Sequence, residues 1–286
     1  MPVNKFVQFI SPLQIIREAI AEAIYTGFGI HLKCHEIALE ATFPKYSAHY
    51  TSSVAIALCP RLAQDSLTIA EAIIKLCIQT CRKSSYGISL DNSSENRDID
   101  SQWQIQAVGK GWLNINFTEQ YLGEILLLLE KLRIAAIEDT NGIWQKGFLI
   151  SDQYIIEDNY AYARCCALIR LAYREHLLPL VLEKNSKTIF TEVKPVETSL
   201  LVQNLAIADY LMSAQENCTE RNHKKIQEKQ DKLSRSLADV FLQFYDQCRI
   251  FGVNRDIACR RLLLIRITQK FLLALAPTNI NYTMYL

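Results

Sequence analysis

The chain has 286 residues, half of them hydrophobic, and 31 Lys and Arg against 30 Asp and Glu give a net charge of +1. That length and apolar content support a sizeable buried core in about two domains, which excludes a disordered or fibrous chain. No uninterrupted apolar stretch approaches the roughly 20 residues that cross a bilayer, and no basic segment leads into a long apolar one at the start, so a cytoplasmic protein with no membrane partner is expected.

The nine cysteines form no paired framework and lie mostly within apolar helical patterns, where cysteine acts as a small hydrophobe; a reducing compartment fits. The near-neutral charge hides an asymmetry. Residues 1–158 carry 13 Lys and Arg against 18 Asp and Glu, a net of −5, whereas residues 159–286 carry 18 against 12, a net of +6. A basic second half points toward a polyanion partner, although most such charges only solvate a surface.

The first predicted element is a helix through "SPLQIIREAIAEAI". Ser11 is its N-cap, Pro12 suits the first helical position, Gln14 completes a capping box, and Leu13, Ile16, Ile20 and Ile24 share a face. It should end near Gly27. In "HLKCH", His31, Cys34 and His35 are all metal-ligating types, but no fourth partner stands at a recognised spacing and no metal is expected. "EIALEATF" alternates Ile37, Leu39, Ala41 and Phe43 to one side, as a strand with one wet face does. A helical stretch follows at about 51–64, and Thr68 with Glu71 forms a capping box opening the helix "TIAEAIIKLCIQTC".

Residues 84–101 are poor in large apolar side chains and read as a loop. "WQIQAV" and "WLNINF" are strands joined by a tight turn at Gly109–Gly111, and Thr118 caps the helix "EQYLGEILLLLEKL". Helices on a small antiparallel sheet make an α+β domain over residues 1–132. Residues 133–151 form a connector. From 152 to 286 the period is near 3.6 throughout, in four segments that include one long element at about 219–251, so this half is an all-α helical bundle.

In that order, these motifs resemble the two ends of the arginyl-tRNA synthetase family. "GKGWLNI" is similar to the Gly-x-Gly-Phe-Ile-Asn-Ile hairpin of its N-terminal additional domain, which touches the outer corner of tRNA at the D-loop. "AHYTSSVAIAL" resembles the Gly-Asp-Tyr-x-Ser-Asn-x-Ala segment, with Ala48, His49 and Ser53 replacing the glycine, aspartate and asparagine. "YAYARC" is similar to the Tyr-Ala-His-Ala-Arg-Ile signature opening the helical DALR anticodon-binding domain, and "FLQFYDQCRIF", "RRLLLIRITQKFL" and "NYTMYL" resemble its later parts. The resemblance implies that Tyr160, Arg164, Tyr245 and Met284 lie against an anticodon loop.

Other candidates come from the residues themselves. Tyr160 and Arg164 sit four apart on one helix face, and Tyr245 and Arg249 repeat that spacing. Arg260 and Arg261 adjoin, about 100° apart on a helix, so one is structural and Arg261 is taken as the contact. Trp112 and Asn114 alternate onto one side of their strand; Trp112 reads first as packing against the preceding helix, and Asn114 as a group able to bond a base edge or sugar.

A synthetase of this family also needs a nucleotide-binding body with His-x-Gly-His and Lys-Met-Ser-Lys elements. Neither stands between the two resembling ends, and "KNSKT" at Lys184 follows the Tyr-Ala-x-Ala-Arg helix instead of preceding it. No glycine-rich phosphate cradle, Ser/His/Asp set or zinc pattern replaces them. The expectation is therefore a non-catalytic protein with no cofactor and no ATP, binding tRNA or a tRNA-like RNA. The rivals are a protein-interaction scaffold that kept the fold and lost RNA binding, with a protein partner, and an accessory subunit for arginyl-tRNA aminoacylation.

Overall fold

The computed structural model describes residues 11–81, 102–133, 156–177, 192–216 and 223–276. The expected loop at 84–101, most of the connector, Lys184 and Met284 lie outside them. The chain divides into two compact units, residues 1–121 and 122–286, so the division falls inside the helix that follows the hairpin.

In the first unit, α1 (Pro12–Phe28) opens as expected on Ser11, whose hydroxyl oxygen accepts the Leu13 N–H at 3.2 Å. The Gln14 side-chain amide donates to Glu18 at 3.0 Å, one turn on along the helix. The expected strand over 36–43 shrinks to β1 (Glu40–Ala41). Ile37 is buried because it follows a 3-10 turn (Cys34–Glu36) and its carbonyl is held by Arg17, which donates at 3.2 Å. A turn, not a strand pleat, thus produced the first apolar beat of that pattern. His31, one of the three candidate ligands there, stacks on Tyr25 with ring centroids 4.1 Å apart.

Thr51, expected at the start of a helix, belongs to β2 (Tyr50–Ser52), and α2 begins later (Val54–Leu62). The next helix, α3 (Ser66–Cys81), is capped by Asp65, whose carboxylate accepts the N–H groups of Leu67 and Thr68 at 3.0 and 3.2 Å. Thr68 therefore lies inside the first turn and is not the cap, because the acidic side chain one turn earlier reaches the same orphan donors.

The hairpin is as predicted: β3 (Trp103–Val108) pairs antiparallel with β4 (Trp112–Phe117), Val108 opposite Trp112 and Gln106 opposite Asn114. The four strands run in the order β1-β2-β4-β3, all antiparallel. One face, with Tyr50, Trp103, Leu113, Ile115 and Phe117, is buried beneath helices, among which α3 packs on β3 and β4. The other face shows Gln104, Gln106, Val108 and Trp112 to solvent, with Asn114 and Asn116 half-exposed between them.

His49, immediately before β2, is turned inward. Its Nδ1 accepts the Phe117 N–H at 2.8 Å, its ring lies nearly parallel to the Phe117 ring at 5.8 Å, and it is only 8% exposed. Burial lowers its pKa from the usual 6.5 to about 4. Because the folded value lies below the unfolded one, the unfolded chain binds the extra proton: stability from this group is full above about 6.5 and is lost as pH falls toward 4, by about 3 kcal/mol. His49→Asn, which keeps an acceptor near Nδ1 and cannot titrate, is expected to flatten the fall in denaturation midpoint between those pH values. An unchanged slope would assign the acid sensitivity elsewhere.

The hairpin leads into α4 (Glu119–Lys131), and Thr118 caps it as expected, its hydroxyl accepting the Tyr121 N–H at 3.3 Å. From Leu122 on, this helix belongs to the second unit. Its last turn ends on the Lys270 ammonium, which donates to the carbonyls of Leu129, Glu130 and Leu132 at 2.7, 3.0 and 3.0 Å. A cation on the orphan carbonyls complements the negative helix terminus, and Arg266 adds an ion pair to Glu130 at 2.7 Å.

Among the described residues four helices follow: α5 (Ile156–Arg174), α6 (Pro195–Glu216), α7 (His223–Gln247) and α8 (Arg255–Leu275). The last is the axis of the bundle. It packs on α5, α6 and α7, is buried almost continuously from Ala258 to Ile265, and continues its core face through Ile267, Phe271, Leu272 and Leu275. A long all-round burial of this kind requires its polar groups to be satisfied internally, and Thr268 accordingly accepts from the fully buried Asn204 at 3.1 Å. The fold class is therefore as the sequence predicts, a small antiparallel sheet with helices followed by an all-α unit. The described cysteines are free thiols, and among the described residues no helix is long and apolar enough to cross a membrane.

Candidate nucleic-acid interface

Three of the residues singled out in the sequence meet on the surface of the helical unit. Tyr160 and Arg164 lie one turn apart on α5, and the Arg164 guanidinium donates from Nη2 to the Tyr160 hydroxyl oxygen at 3.1 Å. The same guanidinium lies 5.5 Å from the centroid of the Tyr160 ring and 5.0 Å from that of Tyr245, which reaches in from α7. Tyr245 is itself backed by the fully buried Phe241, ring on ring at 6.3 Å and 23°. All three site side chains are half-exposed.

This arrangement follows from two local facts. Helical spacing puts residues four apart on one face, and the α5–α7 contact brings the end of one apolar stripe beside the other. The cluster presents two aromatic faces around a permanent positive charge, and the hydrogen bond from Arg164 to Tyr160 favours the charged guanidinium, raising its pKa further. Because the Tyr160 oxygen accepts from Arg164, its own hydroxyl hydrogen is available to donate outward. Ring faces, a cation and a hydroxyl donor within one small area are suited to unpaired nucleotides, which stack on aromatic side chains and bring phosphate with them.

The other candidates fare differently. Arg249 does not repeat the spacing on a helix face, because α7 ends at Gln247; Arg249 stands exposed in the following turn, and the cation beside Tyr245 is Arg164 from the neighbouring helix. Arg261 is a correction. It is 5% exposed, its Nε and Nη2 donate to Glu197 Oε1 at 3.0 and 2.8 Å, and its Nη1 donates to the Arg249 carbonyl, leaving no face for a ligand. Arg260, 1% exposed, donates from Nε to the other Glu197 oxygen at 2.7 Å, so both members of the pair are structural. Their partner was missed from sequence: Glu197 is a single acidic residue at the start of an apolar helix, a place where such a residue ordinarily faces water.

Trp112 is not packed away against a helix. It is 41% exposed on the open face of the sheet, beside Val108 and on the same side as Asn114. Both therefore lie on the open face of the sheet, Trp112 exposed and Asn114 half-exposed.

Residues 159–276, which include Tyr160, Arg164 and Tyr245, match the DALR anticodon binding domain. The second half of this chain carries that domain. An arginine–tRNA ligase from Synechococcus sp. (strain JA-3-3Ab) is 31% identical over 128 residues, covering 42% of this chain and 20% of the ligase. The chain is therefore related to the ligase, and the match spans about a fifth of that relative's length. No solved structure matches.

Proposed function

We propose that this chain is a non-catalytic relative of arginyl-tRNA synthetase that binds tRNA or a tRNA-like RNA, the DALR domain gripping an unpaired loop. The observation that carries this reading is the Tyr245–Arg164–Tyr160 cluster, three groups from two helices converging within the matched domain. Tyr160 and Tyr245 stack bases, and Arg164 orders them and draws phosphate. Trp112 and Asn114 on the open sheet face are a second, weaker contact, and Arg249 an exposed flanking cation. Met284 remains a candidate outside the described residues. Catalysis and ATP are not part of the reading.

Filter binding with total tRNA at two salt concentrations tests it. Binding is expected to saturate and to weaken as salt rises, because phosphate contacts release counterions. With each stacked base worth about 1–3 kcal/mol, Tyr160→Ala combined with Tyr245→Ala is expected to weaken binding by about 30-fold or more. Unchanged affinity in the double variant, or indifference to salt, defeats the proposal.

One observation favours the scaffold reading instead. His49 occupies the position at which the related segment has an aspartate, and it is committed to the Phe117 N–H inside the fold. A first unit that contacts a protein, with RNA binding absent from both units, is the outcome that a null titration supports.

A further inference from the structure

We propose that the outer edge of β3 pairs with the same edge of a second copy of this chain, joining two four-stranded sheets across a twofold axis. The strand stands at the end of the sheet order, and among the described residues nothing pairs with its outer side. Its hydrogen-bonding phase is fixed. The Thr118 N–H donates to the Gln102 carbonyl at 3.0 Å, so Gln102, Gln104, Gln106 and Val108 direct their main-chain groups toward β4. The alternate residues Trp103, Ile105 and Ala107 direct theirs outward.

Edge strands of this length are ordinarily guarded by a charged side chain, a proline, a bulge or a covering element. "WQIQAV" contains neither charge nor proline, and its ladder with β4 runs unbroken from Trp103 to Val108. Its sequence is also complementary to itself. A twofold axis must place outward-directed residues opposite each other, and the register centred on Ile105 does so over the most residues. Ile105 then faces the second copy's Ile105, and Trp103 faces its Ala107, large against small.

On the open face Gln104 meets the second copy's Gln106, and each carboxamide brings both a donor and an acceptor to the pair. An unrelated extended peptide would satisfy the same main-chain groups. It would not explain why both faces of the strand match themselves and why no like charges meet. This inference does not depend on the RNA-binding reading.

Sedimentation velocity of the full chain over a wide concentration range, without RNA, tests it. The wild-type protein is expected to pass from monomer to dimer as concentration rises. Gln104→Lys combined with Gln106→Lys alters only solvent-facing side chains and sets lysine against lysine twice, so this variant should stay monomeric; Gln104→Glu with Gln106→Glu should do the same. Mixed one to one, the lysine and glutamate variants are expected to form a heterodimer at lower concentration than the wild type dimerises. A wild type that remains monomeric throughout, a lysine variant that dimerises like the wild type, or a mixture that fails to associate overturns the proposal.

Discussion

Replacing Glu197 with alanine is expected to destabilise the helical unit by about 3–5 kcal/mol, the range for removing one partner from a buried ion pair. Glu197 is fully buried and its two oxygens hold Arg260 at 2.7 Å and Arg261 at 2.8 and 3.0 Å. Without the carboxylate, two buried guanidinium groups lose the anion that they share. The effect reaches the candidate interface. Arg261 also bonds the Arg249 carbonyl just beyond α7, and the Cys248 thiol lies 3.9 Å from Glu197, so the triad fixes the end of the helix that carries Tyr245.

Chemical denaturation followed by far-ultraviolet circular dichroism measures the loss. The mechanism predicts a second result: Glu197→Leu with Arg260→Met and Arg261→Met should recover most of the stability, because desolvating an ion triad offsets much of its own Coulomb attraction. If the single and triple variants are equally unstable, packing at this site and not the stranded charge sets the cost.

The legibility of the fold divides along physical lines. Elements whose apolar period is unbroken, such as α1, the β3–β4 hairpin and α8, are legible because one face is buried along most of their length. Where side chains compete for the same backbone donors, spacing does not decide the cap: Asp65, not Thr68, accepts the first N–H groups of α3. Likewise β1 was overextended, since a short turn can bury one isoleucine and imitate the beat of a strand. At the candidate interface, helical spacing alone was enough to join Tyr160 to Arg164. It could not show that the cation beside Tyr245 comes from another helix, nor that Arg261 looks inward. Those facts depend on which face of α8 meets α6, and that is decided by the packing of the bundle as a whole.

Gly111→Ala is expected to cost about 3 kcal/mol or more, and Gly109→Ala in the same turn only about 1–2. Both glycines have positive φ, +92° at Gly111 and +59° at Gly109, so either substitution incurs the strain that L residues suffer in that region. Only Gly111 adds a collision: a Cβ there would stand 2.5 Å from the Ser66 carbonyl oxygen and 2.7 Å from its carbon, whereas a Cβ at Gly109 meets nothing within 4 Å. Backbone atoms cannot swing aside as a flexible side chain does. Relieving the contact means lifting the turn from the start of α3, which breaks the 2.7 Å hydrogen bond from the Ser66 hydroxyl to the Lys110 carbonyl and moves Trp112 on the open face. Denaturation midpoints of the two variants, with tryptophan fluorescence reporting on Trp103 and Trp112, separate the contributions. Equal losses at the two positions would mean that backbone strain alone holds the turn and that the close approach to α3 contributes nothing.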